Sequence, residues 1–353
     1  MIRHIITPEL PARRNLAITE ALLRGQHEIF RQQRFSPSAL IGAHQSLPRE
    51  IDLDYCATHT IETARRMTGG GAITMGPGIL GWELILHRAR FPTLDAATET
   101  LCQAIATGLS RFAPARFRPR NDIVIDGRKI AGTGGYFDSN RLLFQGTVLV
   151  DPDLDFMARA LRLPDRKLSA GGSFAQRLTT LRAEWSRLPT AELPADELPL
   201  SHLPDLGTIG DALATALAAA LGTPLTPSDL SPAETALAAT LHDSEIGTNA
   251  FVRGHHLHHA PTPHDRHAAR ATPSGLAEVV LRLAAGRVQS IAIGGDIFVT
   301  PPRILRDLEA ALTGHPAADA PDLARALFRR TNASLLGGDI TLLADLIAEA
   351  ATP

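Results

Sequence analysis

The residues best suited to chemistry lie in two glycine-rich stretches of the N-terminal half. The first, residues 64–78, has the sequence ARRMTGGGAITMGPG, in which Arg65 and Arg66 precede three adjacent glycines. Glycine loses more backbone freedom on folding than any other residue, so this run predicts that something approaches the backbone closely. Exposed backbone amides beside a guanidinium suit an anionic group such as a phosphate or a carboxylate. A plain turn is the alternative interpretation of the same glycines.

Lysine is almost absent from the chain. Of the 35 basic residues only Lys129 and Lys167 are lysines. Arginine therefore serves wherever either cation suffices, and the positions that keep lysine are candidates for sites where the broad, planar guanidinium fails. Lys129 lies in the second glycine-rich stretch, NDIVIDGRKIAGTGG, at residues 121–135. We expect Lys129 to act at a reacting centre, with chance survival of two lysines as the alternative.

Composition and length indicate a globular protein with a sizeable core. The chain has 353 residues, of which 44% are hydrophobic and 20% charged, so one large domain and one smaller domain are expected. Cys56 and Cys102 are too few for a disulfide framework and lack metal-ligand spacing, which fits a reducing compartment. No signal peptide or long apolar run is apparent. We therefore predict a cytoplasmic location and no membrane partner.

Charge is distributed unevenly along the chain. Residues 1–150 contain 18 basic and 13 acidic side chains (+5), and the remaining residues contain 17 and 24 (−7). The positive half also contains the glycine loop, as a site for an anionic ligand or an acidic partner would require. No nucleic-acid motif is present, and two tyrosines and two tryptophans offer little surface for stacking bases. A nucleic-acid partner is not expected.

The predicted elements that position these residues indicate an α+β fold. Apolar periodicity predicts helices over residues 11–31 and 94–112. Three strands follow in close succession at 122–125, 128–132 and 141–150, with an Asp126-Gly127 turn of the hairpin type between the first two. Consecutive hairpins predict a mixed or antiparallel sheet flanked by helices. They argue against a doubly wound dinucleotide-binding fold.

The C-terminal part predicts a second, small α+β domain. Two strands, at 276–283 and 288–298, are followed by three helices, and a unit of this size can fold alone. Six histidines precede it, interrupted by prolines: His255, His256, His258, His259, His264 and His267. We interpret this run as a solvated linker, with metal binding as the alternative. The predicted domains are therefore 1–252 (catalytic), 253–273 (linker) and 274–353 (accessory).

Taken in order, three motifs resemble the lipoate–protein ligase A family of the biotin/lipoate protein ligase superfamily. They are RRMTGGGAITMGPG, NDIVIDGRKIAGTGG and LFQGTVLVD (residues 143–151). The resemblance implies a catalytic fold of a mixed sheet backed by helices, with a C-terminal accessory domain. It also implies the use of ATP and Mg²⁺ to activate lipoate as lipoyl-AMP. The acyl group would pass to a lysine of an acceptor lipoyl domain, in an E2 subunit, the glycine cleavage H protein or a similar protein.

The resemblance also implies roles for individual residues. Lys129 would be the essential catalytic lysine, and Asp122 would sit at magnesium with the nucleotide phosphates. Arg66 and Thr68 would hold the lipoyl end and the loop. The remaining predicted contacts to lipoate or ATP are Gly69, Gly70, Gly71, Ala72, Ile73, Thr74, Asn121, Gly134 and Gly146. Apolar strand residues Ile73, Leu80 and Leu143 are candidates for lining the acyl tunnel, although ordinary core positions are the alternative for each.

Two departures from the family pattern bear on the substrate. Met75 and Gln145 stand where the family often has histidine, which leaves octanoate as an alternative acyl substrate. A transferase of the same superfamily, which needs no ATP, is a rival hypothesis, but it requires a nucleophilic cysteine and neither cysteine falls in the motifs. A biotin ligase is a weaker rival, because RRMTGGG replaces that branch's loop. A non-catalytic protein that binds lipoate or a lipoyl domain is the third.

Overall fold

The computed structural model describes residues 1–162, 177–187, 205–254, 265–273 and 275–352. Lys167 and the histidines at 255, 256, 258, 259 and 264 lie outside the described residues. Within the described ranges the strands are β1 (Ile2–Leu10), β2 (Glu28–Phe35), β3 (Ser38–Ile41), β4 (Glu62–Arg65), β5 (Ile73–Met75), β6 (Ile79–His87), β7 (Arg116–Arg118), β8 (Asp122–Ile125), β9 (Arg128–Asp138), β10 (Arg141–Leu149), β11 (Leu225–Pro227), β12 (Arg266–Thr272), β13 (Gly275–Ala284), β14 (Arg287–Gly295), β15 (Val299–Thr300) and β16 (Ser334–Leu335).

Helices flank these strands. Within the same ranges the α-helices are α1 (Ala12–Leu23), α2 (Leu47–Glu50), α3 (Leu53–Thr58), α4 (Leu94–Leu109), α5 (Leu154–Ala160), α6 (Leu181–Trp185), α7 (Leu206–Leu221), α8 (Pro232–Leu241), α9 (Asn249–Arg253), α10 (Ile304–Leu312), α11 (Ala320–Thr331) and α12 (Thr341–Ala351).

An eight-stranded mixed sheet is the centre of the N-terminal part. Its order is β11-β1-β2-β6-β10-β9-β8-β7, with β1 parallel to both its neighbours and the other pairs antiparallel. Helices α4 and α7 pack on one face of this sheet and α1 on the other. A second, three-stranded sheet, β4-β3-β5, carries the glycine loop between β4 and β5. The predicted α+β class with a mixed sheet is confirmed.

The predicted hairpin around Lys129 is confirmed in detail. Asp126 and Gly127 have φ values of 47° and 75°, as the type I′ turn between β8 and β9 requires. Strand β9 continues to Asp138, beyond its predicted end at 132. The pairing of β8 with β9 is irregular between Ile123 and Val124, and this bulge changes which face the residues of β9 present from Lys129 onward.

The prediction of one helix over residues 11–31 is wrong in its second half. Helix α1 ends at Leu23, and residues 28–35 form the central strand β2, which is buried along almost its whole length. The apolar spacing that predicted the helix ends at Leu23, and Glu28 is assigned to its polar face. Strand β2 also carries the polar side chains of Arg31, Gln32 and Gln33. They are buried because other parts of the chain supply their hydrogen-bond partners, which local sequence cannot indicate.

The C-terminal unit is an antiparallel sheet, β12-β13-β14, covered by α10, α11 and α12. The predicted β13–β14 hairpin and the three helices are present. Residues 266–272, counted with the linker in the sequence analysis, are instead strand β12, paired along its length with β13. The limits of the domains otherwise stay a prediction.

A fully buried ion pair lies between β2, β6 and α1. The Nε atom of Arg31 is 2.8 Å from Oε1 of Glu83, and both side chains are 0% exposed. Arg31 also donates to the backbone oxygen of Asn15 and to the Thr19 hydroxyl, both at 3.0 Å. Thr19 in turn donates to Glu83 at 2.8 Å. Burial of the two charges is tolerated because they lie in contact and both bond to the Thr19 hydroxyl.

We expect Glu83→Leu to lower the free energy of unfolding by about 3–5 kcal/mol, because the Arg31 guanidinium would remain buried without its counter-charge. The double variant Arg31→Met with Glu83→Leu should recover most of that loss, since neither charge then has to be dehydrated. Urea denaturation of the two single variants and the double variant measures the coupling. Additive losses in the double variant would contradict a satisfied pair.

Candidate functional site

A cavity of about 360 Å³ lies between the eight-stranded sheet and the glycine loop of the three-stranded sheet. Its size is within the range usual for small-molecule sites. The structure brings every site residue predicted from the sequence to its lining: Arg66, Thr68, Gly69, Gly70, Gly71, Ala72, Ile73, Thr74, Asn121, Asp122, Lys129, Gly134 and Gly146. Their roles in binding or catalysis stay predictions. Of the three tunnel candidates Ile73 lines the cavity, whereas Leu80 and Leu143 belong to the packed core.

Lys129 is held at the polar end of the cavity by an ion pair. Its Nζ lies 2.6 Å from Oδ1 of Asp122, on the neighbouring strand β8. Arg118 binds the other carboxylate oxygen, Oδ2, at 2.7 Å. Burial alone would raise the pKa of Asp122, but the two cations outweigh it and the pKa is lowered from its ordinary value. Asp122 is therefore an anion at neutral pH that fixes the amine in place.

The position of the Lys129 side chain explains why residue 132 is a glycine. A Cβ atom at Gly132 would lie 2.7 Å from Lys129 Nζ and 2.8 Å from Cε, closer than side-chain atoms normally approach. A glycine at 132 therefore lets the lysine lie flat over strand β9. The side chain of Lys129 remains 35% exposed, and it lines the cavity together with Asn121 and Asp122.

The Arg66 side chain forms hydrogen bonds within the glycine loop that follows it. It is 6% exposed and donates to three backbone oxygens, those of Leu40 (3.2 Å), Gly69 (3.1 Å) and Gly71 (2.9 Å). Burial lowers the pKa of its guanidinium to about 10, so it remains charged at neutral pH. The predicted role in holding the loop is thus consistent with its bonds, while its charge is directed at carbonyl groups of the protein.

Residues of the C-terminal unit pack closely against the glycine run at residues 69–71. A Cβ at Gly69 would lie 2.0 Å from the backbone oxygen of Ile297, and one at Gly70, whose φ is +87°, would lie 2.4 Å from the ring of Phe298. The Gly70 amide donates to the Ile297 oxygen at 3.1 Å. The expectation that these bare amides await an anion is therefore corrected for Gly70. Its hydrogen bond is made by the C-terminal unit.

Phe298 completes the wall of the cavity opposite the sheet. Its ring also fills the space over Gly134, where a Cβ would lie 2.0 Å from Cε1, and the residue is 6% exposed. Neighbouring Asp296 also lines the cavity, and its Oδ1 accepts the amide of Leu276 at 3.1 Å. Sequence reasoning missed both residues, because a strand end more than 150 positions away gives no local signal of contact with the glycine loop.

The two departures from the family pattern, Met75 and Gln145, both line the cavity, as does Gln33 of strand β2. Gln33 was missed because no motif of the sequence includes it, and its strand β2 was not predicted. Gln33 is 5% exposed, and its amide is bound to the buried ion pair: Oε1 accepts from Arg31 at 2.5 Å and Nε2 donates to Glu83 at 3.4 Å.

Neither cysteine is prepared to act as a nucleophile. Cys102 is fully buried in α4 with its sulfur 3.2 Å from the Thr133 hydroxyl, and burial raises the pKa of its thiol to about 12. Burial also raises the pKa of Cys56 to about 11. Both stay protonated at neutral pH, and neither lines the cavity.

The described ranges contain neither a metal-binding cluster of acidic, histidine or cysteine side chains nor a membrane-spanning helix. No three His, Cys, Asp or Glu side chains there lie together in a way that would hold a metal ion. No helix in these ranges combines the length and apolar composition needed to cross a bilayer.

In the described part of the chain, a mixed sheet and the glycine loop enclose a cavity that residues of the C-terminal unit also line. The family model of the lipoyl protein ligase A/B catalytic domain matches residues 11–198, which is 188 of the 353 residues. The chain therefore belongs to that family.

Curated relatives include the lipoate-protein ligase LplJ of Bacillus subtilis, 32% identical over 138 residues (38% of this chain and 41% of LplJ). Lipoate–protein ligase 1 of Staphylococcus aureus is 29% identical over 163 residues (45% of this chain and 49% of that protein). The chain thus spans less than half the length of these relatives.

Solved structures extend the likeness of the fold. The bipartite lipoate protein ligase of Thermoplasma acidophilum, described with its E2 lipoyl domain, matches with a TM-score of 0.62 and 25% identity, covering 72% of this chain and 97% of that one. P. falciparum LipL1, solved in complex with lipoate, matches with a TM-score of 0.72 over 99% of both chains at 13% identity. The second likeness shows that the fold as a whole, with its C-terminal unit, is shared.

We expect Asp122→Asn to lower stability at pH 7 by about 1–2 kcal/mol, because Lys129 and Arg118 lose their anion. Since the folded-state pKa of Asp122 lies below its ordinary value, this contribution is fully present above pH 4 and is lost as the pH falls through the folded-state value. Urea denaturation between pH 7 and pH 2 measures the difference between variant and wild type. Asp126→Asn, in the exposed turn, is the matched control, and a constant difference down to pH 2 would refute the assignment.

We expect Gly134→Ala to displace the ring of Phe298, because the new methyl group would overlap it, and to cost about 1–3 kcal/mol. The Gly70 amide, which donates to Ile297, should then exchange its hydrogen faster. Hydrogen exchange read by mass spectrometry measures this effect. Gly76→Ala is the control, since its Cβ would meet only ordinary contacts, 3.5 Å or more from Pro37. Equal exchange of Gly70 in both variants would count against the docked ring.

Proposed function

We propose that this protein is an ATP-dependent lipoate–protein ligase that activates lipoate or octanoate as the acyl adenylate. It then transfers the acyl group to a lysine of an acceptor lipoyl domain, in an E2 subunit, the glycine cleavage H protein or a similar protein. The observation that carries the proposal is the Lys129 amine in a cavity whose lining also includes the apolar residues Leu16, Phe35 and Leu149. A cation beside an apolar space suits an acid with an aliphatic tail.

The first step joins two anions. A carboxylate oxygen of the acid attacks the α-phosphorus of ATP, the bond from that phosphorus to the pyrophosphate oxygen breaks, and pyrophosphate leaves with the electron pair. Lys129 lowers the barrier by neutralising charge that develops on the phosphoryl oxygens. Its amine is already oriented by Asp122, so little reorganisation is needed when the substrates bind. The compact ammonium also fits over Gly132, where a guanidinium would be broader.

The polar lining has the chemistry to accept magnesium with the nucleotide. Asp122 and Asp296 are carboxylates of the lining, and Asn121 adds an amide. Oxygen ligands of this kind, completed by phosphates and water, are those that Mg²⁺ prefers, and the ion supplies further neutralisation of phosphate charge. Asp122 can serve it only by sharing or exchanging its contact with Lys129. Asn121 donates to the backbone oxygen of Thr133, 2.5 Å away, which fixes the start of β8.

The second step uses the acceptor's own nucleophile. The neutral amine of the acceptor lysine attacks the acyl carbon, the carbon–oxygen bond to the phosphate breaks, AMP leaves with the electron pair, and the amine loses a proton to form the amide. No residue of this chain has to become covalently attached. The protonated, buried state of Cys56 and Cys102 supports this route over a transferase that carries the acyl group as a thioester.

The test is to incubate the protein with lipoate, Mg-ATP and an apo lipoyl domain and to measure the acceptor's gain in mass. We expect Lys129→Ala to reduce the rate about 100- to 1,000-fold, the usual effect of removing one charge-stabilising group. Lys129→Arg should also lose activity, because the guanidinium does not fit over Gly132. Arg116→Ala is the control, since it removes an exposed cation of the neighbouring strand β7 and should leave the rate close to that of the wild type.

The alternatives give different outcomes in the same assay. Transfer without ATP from an octanoylated carrier protein would indicate the transferase. Tight binding of lipoate without any turnover would indicate a binding protein. Full activity of Lys129→Ala would remove the basis of the proposal.

A further inference from the structure

The strand pairing around Lys129 is interrupted on both of its sides. In the register with β8, Ile130 is an additional residue between two paired ones, and a bulge of this kind breaks the ladder of hydrogen bonds. On the other side, the pairing of β9 with β10 ends at Ala131. The backbone of Lys129 is therefore held less firmly by these two strands than the rest of β9.

Residues 178 and 179 pair with this part of β9 instead. Leu178 forms an isolated parallel bridge with Lys129, and the Thr179 amide donates to the Lys129 backbone oxygen at 3.0 Å. Val124 of β8 stands opposite Lys129 on the other side. Leu178 and Thr179 therefore take the place beside Lys129 that β10 holds along the rest of β9.

The carboxylate of Glu184, in helix α6, binds both Thr179 and the residue before Lys129. Its Oε1 accepts the Thr179 hydroxyl and lies 2.8 Å from Nη2 of Arg128. Nη1 of Arg187 donates to the same oxygen at 2.5 Å, and Glu184 is only 4% exposed. Hydrogen bonds to an ionised group are stronger than those between neutral groups. One carboxylate thus holds the main chain of Lys129 at two points.

Helix α6 is itself fixed to the core of the N-terminal part. Leu181 is buried there, and the ring of Trp185 packs against that of Phe112. The Arg182 amide donates to the backbone oxygen of Val150, the residue after β10, at 2.9 Å. Glu184 is therefore a fixed point relative to the large sheet.

We propose that Glu184 is a positioning residue for the Lys129 amine. The inference rests on the proposed function, in which that amine stabilises the charge that develops during adenylation. Asp122 fixes the amine itself, whereas Glu184 fixes the backbone from which the side chain extends. Glu184 lies outside the cavity lining, so it acts through Lys129 and does not touch the substrates. A displacement of a reacting group by about 1 Å costs about 100-fold in rate.

The kinetic test compares Glu184→Ala and Glu184→Gln with the wild type in the assay with lipoate, Mg-ATP and an apo lipoyl domain. Glu184→Ala should lower kcat about 10- to 100-fold, because the amine is no longer aligned. The KM values for lipoate and Mg-ATP should change by less than about threefold, since the cavity lining is intact. Glu184→Gln keeps the size of the side chain and an acceptor for Thr179, so its loss should be smaller, and it serves as the test if Glu184→Ala does not fold.

Hydrogen exchange of the Thr179 amide, read by NMR, measures the contact independently of activity. This amide donates to the Lys129 oxygen, so it should exchange at least about tenfold faster in Glu184→Ala than in the wild type. Arg182→Ala is the matched control, because it breaks an exposed ion pair of the same helix, with Asp151 at 2.6 Å. It should leave both kcat and the exchange of Thr179 close to the wild-type values. Unchanged exchange of Thr179 in Glu184→Ala would overturn the inference.

A double-mutant cycle with Lys129→Ala separates positioning from a general structural role. In the Lys129→Ala background, Glu184→Ala should slow the residual reaction by less than about twofold, because no amine is left to align. A loss as large as in the wild-type background would overturn the inference and leave the ligase proposal standing. Full activity of Lys129→Ala alone would instead remove the proposed function and this inference with it.

Discussion

Close approach to bare glycine backbone is the constraint on which this structure depends. Three separate side chains use it: Lys129 lies over Gly132, Phe298 lies over Gly70 and Gly134, and Trp82 lies against Gly146. A methyl group at any of these positions would overlap its neighbour. The same glycines keep the floor and rim of the cavity low. The position of Lys129, the docking of the C-terminal unit and the space in the cavity thus share one physical requirement.

Charge is arranged around that space in two different ways. At one end, Asp122 holds the Lys129 amine and is itself held by Arg118, and the lysine stays partly exposed. Its charge is therefore available to a substrate that approaches through the cavity. At the other end, the Arg31–Glu83 pair is fully buried and neutralised, and it serves as an anchor for Gln33. An exposed pair can exchange partners, whereas a buried pair cannot without a large free-energy cost.

The C-terminal unit is part of the site. Ile297 and Phe298 pack on the glycine loop, and the Phe137 amide donates to the Thr300 hydroxyl oxygen at 3.2 Å. Gly295 adds a hydrogen bond from its amide to the oxygen of His44 at 2.9 Å. The sequence alone predicts that the amides of the glycine loop are free to bind an anion. In the structure, the loop is supported from two sides, by Arg66 within the N-terminal part and by the C-terminal unit. The C-terminal unit therefore forms part of the cavity wall through Asp296 and Phe298.

The sequence by itself determined the α+β class and the hairpin at Asp126-Gly127, because turn chemistry and strand patterns act over a few neighbouring positions. The likeness of its motifs to the ligase family, not these local patterns, indicated the predicted site residues that line the cavity. The rarity of lysine singled out Lys129 by the same local argument. The tertiary structure alone decided that residues 28–35 form a strand, since their polar groups are satisfied by Asn15, Thr19 and Glu83 from elsewhere in the chain. It also decided that Phe298 covers the glycine loop and that Gln33 lines the same cavity as Lys129. Contacts between residues so far apart depend on how whole strands register and pack, and no local pattern records that.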